Sequence, residues 1–263
     1  SGFDPSRRFG FFNVDVIHHL PVCLNCLLYI MEMEMAEIYG ILAKEEPHGR
    51  DKEGHLWRVG HRRWKERARR RAKRINNWLW DSAEEAPTEA HAAYPGYRDY
   101  NFNYSLCHKY DIPLHRNYVF ATAFYPLWAG IASEEQAAQV VKHIYPKLIT
   151  PHGLMASNRE TGSQWDAPFA WAPLQIIAVR GLMRYGYVDE ALAIAYGFLN
   201  TVWAGFNATG KIFEKYDMSS GTHDVSAKID KGYSTNVEGF GWTNAVVLEL
   251  LALVNKQKAL KKV

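Results

Sequence analysis

The chain has 263 residues and a net charge of +3, with 48% hydrophobic and 22% charged residues, a balance typical of a globular protein with a substantial core. So weak a positive charge does not call for nucleic acid or an anionic membrane as a partner. No uncharged stretch reaches the roughly 18 apolar residues that a membrane-spanning helix needs. Aromatic residues make up 14% of the chain, more than a core usually needs, and rings with polar tips suit flat ligands such as sugars and bases, although most are expected in the core.

The cysteines indicate reduced thiols. Cys23, Cys26 and Cys107 form an odd set, which argues against a secreted disulfide framework and favours the cytoplasm. Cys23 and Cys26 form a C-x-x-C within the apolar run LPVCLNCLLYIM, without a second pair at zinc spacing, so buried thiols are favoured over a redox or metal site. The chain opens on SGFDPSRR, with neither an initiator Met nor a leader, so the localisation remains unknown.

The first two predicted helices cover residues 17–42 and 55–80, where apolar residues recur at close to 3.6-residue spacing. The second contains the basic run RRWKERARRRAKR. Its apolar stripe leaves the arginines on the opposite face of one helix, so a solvated outer face is favoured over a nucleic-acid site.

Loops rich in aromatic residues separate the later helices. Tyrosines at 94, 97, 100 and 104 indicate a loop with short strand pairing. Helices are then predicted at 116–130, after Ser133 in a capping box with Gln136, and at 168–184, 188–204 and 242–256. Strand-like sequence is scarce and no flexible linker divides the chain, so we expect one all-α domain over 1–263, built as antiparallel helical pairs with its polar and aromatic loops at one end.

Three loop segments place carboxylates among aromatic rings. They are SGFDPSRRFG with Asp4, QWDAPFAWAP with Asp166, and IFEKYD with Glu214 and Asp217. Glycoside hydrolysis needs one protonated acid beside an apolar wall and one ionised carboxylate that activates water, while sugar rings stack on aromatic side chains. Each segment alone is a weak signal, and their joint occurrence indicates carbohydrate chemistry.

These segments resemble the trehalase family of glycoside hydrolases. QWDAPFAWAP is similar to the long family signature Q-W-D-x-P-x-x-W-x-P. SGFDPSRRF resembles E-S-G-W-D-F-S-S-R-W, in which the aspartate is the general acid, and this places Asp4 and Arg8 at the family's aspartate and arginine. PVCLNCLLY resembles P-V-D-L-N-x-L-L-Y, with Cys23 where an Asp is usual. EKYD matches the segment of the family's general base, which falls on Glu214, and GFGWTNAVVLELL resembles the closing G-F-G-W-T-N helix.

The resemblance implies an (α/α)6 toroid with its site in the mouth formed by the loops. It also implies inverting hydrolysis of an α-glucosidic bond, with Asp4 as general acid, Glu214 as general base and their carboxyls roughly 6.5–9.5 Å apart. Neither a metal nor a cofactor is implied. The implied sugar-binding residues, of which Trp171 has a core position as its alternative, are Phe3, Arg8, Gln164, Trp165, Asp166, Trp171, Phe240 and Trp242.

Two departures from the family pattern bear on the substrate and on activity. A glycine-rich Gly-Glu-Tyr stretch is replaced by SSGTHDVSAKIDKGYSTNVEG, in which Glu238 is a candidate sugar contact or a surface residue. The substrate is therefore expected to be α,α-trehalose, with glucosylglycerate, mannosylglycerate or another α-glucoside as alternatives. The second departure is the absence of the family's P-G-G-R-F signature.

About seven helices are predicted by periodicity, where a closed ring needs twelve. We therefore expect the C-terminal portion of a toroid that is inactive alone, and whose exposed inner helices associate with the missing N-terminal half or with a second copy. A competing hypothesis is a non-catalytic module of helical hairpins that binds carbohydrate or another protein. A nucleic-acid binder ranks last, because only residues 62–74 support it.

Overall fold

The computed structural model of the protein describes residues 2–83, 93–110, 112 and 114–260. Helices dominate this part of the chain, which confirms the all-α prediction. The helices are α1 (Val22–Glu45), α2 (Trp57–Trp78), α3 (Tyr104–Tyr110), α4 (Tyr125–Ala129), α5 (Glu134–His143), α6 (Tyr145–Leu148), α7 (Ala172–Arg184), α8 (Val188–Thr209) and α9 (Gly241–Leu260). Three short 3-10 helices cover Phe11–His18, Ala121–Phe124 and Ser226–Lys228.

The ends of the helices follow local signals in the sequence. The capping box at α5 is confirmed, since the Ser133 hydroxyl accepts the Gln136 amide hydrogen at 3.2 Å and the Gln136 side chain accepts from Ser133 at 2.9 Å. Helix α8 runs five residues beyond its predicted end and stops at Gly210, whose φ of 73° is left-handed. The predicted helix at 116–130 is instead a 3-10 turn followed by α4, which has Pro126 in its first turn.

The helices pack in two rows. Helix α1 contacts α4, α4 contacts α7, and α7 contacts α9, so these four form one row. Helices α2 and α8 form a second row by packing on α1 and α7 respectively. Successive long helices therefore alternate between the rows, as the helical pairs of an α/α toroid do.

Four two-stranded antiparallel ladders tie the connecting loops together. They pair β1 (His19–Leu20) with β4 (Tyr100–Asn101), β2 (Trp80–Asp81) with β3 (Gly96–Tyr97), β5 (Ile149–Thr150) with β6 (Gly153–Leu154), and β7 (Phe169–Trp171) with β8 (Lys215–Asp217). Strands β3 and β4 lie in the tyrosine-rich stretch, as predicted. Strand β7 takes up residues that the sequence assigned to the start of α7.

The basic run lies on the outward face of α2. Ala68 and Ile75 are buried, whereas Arg63 and Arg74 are exposed, so the observed exposure matches a solvated outer face. On the inward side the buried Glu32 of α1 accepts two hydrogen bonds from Arg71, at 2.8 and 2.9 Å. No helix in the described ranges combines the length and the apolar character that crossing a membrane requires.

One face of α1 is exposed although its residues are apolar. Leu24, Leu27, Met31, Ile38 and Ile41 recur close to the helical repeat, and each is 46–47% exposed. These residues form an exposed apolar stripe along α1.

A buried ion pair fixes the N-terminal segment to the body of the fold. Arg8 is fully buried, and its guanidinium donates to both oxygens of Asp99 at 2.6 Å. Asp99 also accepts the Val22 amide hydrogen at 2.9 Å, so the same carboxylate caps the start of α1. The pair holds residues 2–10 against the first helix.

Replacing Asp99 by Asn should destabilise the protein by about 3–5 kcal/mol, because it leaves the Arg8 charge buried and uncompensated. Arg180→Gln is the matched control, since Arg180 pairs with Glu249 in an exposed position where an ion pair contributes little. Urea unfolding monitored by circular dichroism measures both changes. Equal losses of unfolding free energy in the two variants would contradict this assignment.

Candidate active site

Strands β7 and β8 bring two of the carboxylate-bearing segments together. Their register places Phe169 opposite Asp217, Ala170 opposite Tyr216, and Trp171 opposite Lys215. QWDAPFAWAP and IFEKYD are therefore neighbours, although their paired residues are 44–48 positions apart in the sequence.

Glu214 lies just before β8 and is buried, with two donors on its carboxylate. The Tyr233 hydroxyl donates to Oε1 at 2.7 Å, and the Lys215 ammonium donates to Oε2 at 3.3 Å. The Lys215 ammonium is also 3.9 Å from the centre of the Tyr233 ring. A cation and a hydroxyl donor around one carboxylate fix its orientation.

Burial shifts the pKa values of the two donors, Lys215 and Tyr233, in opposite directions. Burial lowers the pKa of Lys215, and the neighbouring Glu214 charge opposes that shift. Burial, together with the bond to Glu214, raises the pKa of Tyr233 to about 12. The phenol therefore stays protonated, and stays a donor, across the physiological range of pH.

Asp4 lies on the N-terminal loop and is exposed. Its Oδ1 accepts a hydrogen bond from the Asn13 amide at 2.6 Å, and the same amide donates to the Phe3 carbonyl at 2.9 Å. The Asn13 oxygen accepts from the Ser6 hydroxyl and from the Phe9 amide, both at 3.0 Å. A buried asparagine thus closes the loop on itself and orients the Asp4 carboxylate.

Gln164 joins the Asp4 and Glu214 segments. Its amide nitrogen donates to the Asp4 carbonyl at 2.9 Å, and its amide oxygen accepts from the Tyr233 amide at 3.3 Å. Gly232 makes the second contact possible, because a Cβ at this position would lie 2.7 Å from the Gln164 side chain. Asp4, Gln164, Tyr233 and Glu214 therefore form one continuous set of contacts.

Aromatic rings pack around this set. Trp165 and Trp171 stack with their centroids 3.8 Å apart and their planes 7° apart, and Trp242 meets both rings edge-on. The ring centroids of Phe3 and Trp165 are 5.0 Å apart, and those of Phe240 and Trp242 are 4.8 Å apart. Of the five, Phe240 and Trp242 are half-buried and the others are largely buried. The structure thus gathers Phe3, Trp165, Trp171, Phe240 and Trp242 into one cluster.

Asp166, which the sequence predicted as a sugar contact, is enclosed by donors from the protein itself. It is fully buried, and its carboxylate accepts from four donors: the Arg7 amide at 2.8 Å and the hydroxyls of Tyr118, Ser157 and Thr161 at 2.8, 3.0 and 2.6 Å. Its lone pairs are occupied by protein groups. In this structure Asp166 is a hydrogen-bonded anchor between loops, and its role as a sugar contact stays a prediction.

Arg8 and Trp171 are also buried. The Arg8 guanidinium is buried against Asp99, and its charge lies 4.9 Å from the Phe120 ring, so it does not reach an open surface. Trp171 is 1% exposed and donates its indole hydrogen to the Gln164 carbonyl at 2.9 Å. This is the core alternative that the sequence left open for Trp171. Both residues position the predicted lining.

Three residues of the site were not identified from the sequence. Asn13 lies outside the motifs that indicated the site. Lys215 lies within EKYD, but nothing in the sequence marked the lysine itself as a functional residue. Tyr233 lies in the segment that replaces Gly-Glu-Tyr, where the pair Gly232-Tyr233 was the available signal. Glu238, the candidate named in that segment, is exposed and pairs with Lys211 at 2.7 Å.

In the described ranges, the group of side chains that could hold a metal ion lies in the loop between α1 and α2. The ligand atoms of Asp51, Glu53 and His55 lie within 4.8 Å of one another. Asp51 already accepts the His55 amide hydrogen at 2.8 Å. These residues belong to a different loop from the candidate active site.

Alternating rows of helices, with carboxylates and aromatic rings joined across their loops, define the helical-toroid fold that occurs in glycoside hydrolases. The family model described as Trehalase matches residues 6–255. The chain belongs to the trehalase family.

Solved structures agree with this assignment. The chain is 31% identical to the neutral trehalase Nth1 of Saccharomyces cerevisiae, with a TM-score of 0.68 over 96% of this chain and 40% of that one. It shares the fold of the GH63 mannosylglycerate hydrolase of Thermus thermophilus, with a TM-score of 0.56, 15% identity, and coverage of 88% of this chain and 47% of that one. The chain therefore spans less than half the length of these two structures.

Gln164→Leu should loosen the contacts between the two carboxylate segments, because leucine can neither donate to the Asp4 carbonyl nor accept from the Tyr233 amide. Hydrogen exchange followed by mass spectrometry should show faster exchange in peptides that cover Tyr233, relative to the wild-type chain. Gln139→Leu, at a half-buried position on α5, is the matched control. Unchanged exchange at Tyr233 in the Gln164 variant would show that Gln164 does not hold this segment.

Proposed function

We propose that the chain supplies the catalytic acid and base of an inverting glycoside hydrolase that cleaves an α-glucosidic bond, with α,α-trehalose as the leading substrate. The observation that carries this proposal is the set of contacts from Asp4 through Gln164 and Tyr233 to Glu214. It ties together the two residues to which the family resemblance gives the acid and base roles. The match to the trehalase family model and the likeness to yeast neutral trehalase support it.

The environments of the two carboxyls suit different roles. Asp4 is exposed at its loop, where a glycosidic oxygen can approach, and one of its oxygens already has the Asn13 amide as a partner. As general acid it would donate its proton to the leaving glycosidic oxygen. The aromatic cluster beside it offers apolar faces for a sugar ring.

Glu214 suits the task of a base. It is held by Lys215 and Tyr233 in a buried position, so its carboxylate has a fixed orientation. As general base it would accept a proton from water as that water attacks the anomeric carbon from the face opposite the leaving group. The C–O bond breaks on one face while the new bond forms on the other, which inverts the configuration.

On our proposal, a complete substrate pocket needs further protein segments in addition to this chain. The chain spans 40% of the yeast enzyme, and the exposed apolar stripe on α1 has the character of a surface that other helices cover. We therefore expect no measurable glucose release from trehalose by the purified 263-residue chain. Turnover by that chain alone would contradict this part of the proposal.

In a full-length protein that includes these residues, Asp4→Asn and Glu214→Gln should each lower trehalose hydrolysis by about 10²- to 10⁴-fold. Each change removes one proton transfer, so affinity for trehalose should change little. Glucose release and calorimetric binding measure the two effects. Glu238→Gln, which alters an exposed carboxylate paired with Lys211, is the matched control.

The same experiment separates the enzyme from its alternatives. Full activity in either the Asp4 or the Glu214 variant would contradict the proposed mechanism. Sugar binding without turnover in the wild-type full-length protein would favour a carbohydrate-binding module. Hydrolysis of glucosylglycerate or mannosylglycerate in place of trehalose would keep the mechanism and change the substrate.

A further inference from the structure

Three arginines surround a cleft beside the N-terminal loop. The cleft has a volume of about 420 Å³ and is lined by Arg7, Gly10, Arg116, Tyr118, Arg159 and Thr161. Arg7 follows the candidate acid, Asp4, by three residues. The cleft therefore adjoins the proposed active site without including either of its catalytic carboxyls.

The three guanidinium groups lack carboxylate partners within the described residues. Arg116 donates to the backbone carbonyl of Arg8 at 2.6 Å, and Arg159 donates to that of Asn117 at 2.7 Å. The Nε atom of Arg7 is buried and has no hydrogen-bond partner in the described part of the chain. Each guanidinium carries five donor hydrogens, so most of this donor capacity remains for a ligand.

Aromatic rings fix the planes of two of these groups. The Arg7 guanidinium lies 4.6 Å from the centre of the Phe11 ring, and that of Arg159 lies 4.7 Å from the Tyr118 ring. Stacking on a ring restricts the side chain while it leaves the N–H edges open. The donors are thus partly organised before any ligand arrives.

Nearby carboxylates are engaged elsewhere. Asp166 is surrounded by four donors of its own, Asp99 is paired with Arg8, and Asp15 lies 2.6 Å from His18. Arg116 and Arg159 line the same cleft, where burial lowers the pKa of Arg116, the charge of Arg159 lowers it further, and the charges of Asp99 and Asp15 oppose the shift. An anion in the cleft would relieve this repulsion.

We propose that Arg7, Arg116 and Arg159 form a binding site for a small oxyanion, either phosphate or carboxylate. Guanidinium groups bind both through paired N–H donors. The anion is either free or a substituent of a sugar or glyceric-acid ligand that extends from the adjoining active site. Binding of a free anion does not depend on the hydrolysis proposed above, whereas the substituent form rests on that proposed function.

Isothermal titration calorimetry of the 263-residue chain in low-salt buffer tests the site, with inorganic phosphate, glucose 6-phosphate, glycerate and glucose as separate ligands. We expect at least one of the three anions to bind, with affinity that falls as sodium chloride is added. Arg116→Gln and Arg159→Gln should each weaken that binding by about tenfold, because each removes charged donors. Arg180→Gln, at an exposed arginine on α7, is the control and should leave binding unchanged.

The ligand series identifies the source of the anion. Tighter binding of glucose 6-phosphate than of inorganic phosphate would indicate a sugar substituent, whereas equal binding would indicate a free anion. Binding of none of the three anions, or equal binding by all three variants, would overturn the proposal. Because Arg159 is exposed, its variant should fold normally even if the Arg116 variant does not.

A failure of the anion-binding proposal can be distinguished from a failure of the proposed hydrolysis. Anion binding is read without turnover, and the Asp4→Asn and Glu214→Gln variants should retain it. Loss of hydrolysis when these changes are made in a full-length protein, with intact anion binding in the 263-residue chain, would support both proposals separately.

Discussion

A single buried amide holds the candidate active site together. Gln164 binds the backbone of the Asp4 loop with its nitrogen and the backbone at Tyr233 with its oxygen. The N-terminal loop and the segment after β8 have no sequence proximity, and an amide can serve both because it is donor and acceptor at once. Gly232 leaves the space that this contact needs, and Trp171 holds the Gln164 carbonyl from the other side.

The residues around this amide fall into two groups: those that anchor the loops and those proposed to act in catalysis. Arg8 and Asp166 are fully buried and bind the N-terminal loop to other parts of the fold, through Asp99 in one case and through four donors in the other. Asp4 and Glu214 are left at the ends of this framework, one exposed and one buried between Lys215 and Tyr233. Rigid support of this kind is what general acid and base catalysis requires, because the proton transfers depend on position.

The sequence predicted the helical architecture well, because apolar periodicity and the Ser133 capping box are local signals. It did not predict that Arg8 and Asp166 are fully buried, since a motif shows which residues belong to a site but not how deeply each of them lies. Tyr233 was missed because it lies 19 positions after Glu214, and the two meet only when the segment between them folds back. Strand β7 was read as helix because its pairing with β8 is a long-range contact.

Proton NMR tests the proposed acid and base most directly, by following the anomeric form of the first products when a full-length protein that includes these residues is given α,α-trehalose. Two carboxyls that act on opposite faces of the anomeric carbon should release equal amounts of α- and β-glucose before mutarotation, because only the attacked ring inverts. Release of α-glucose alone would mean that configuration is retained, and it would contradict the assignment of Glu214 as a base acting through water.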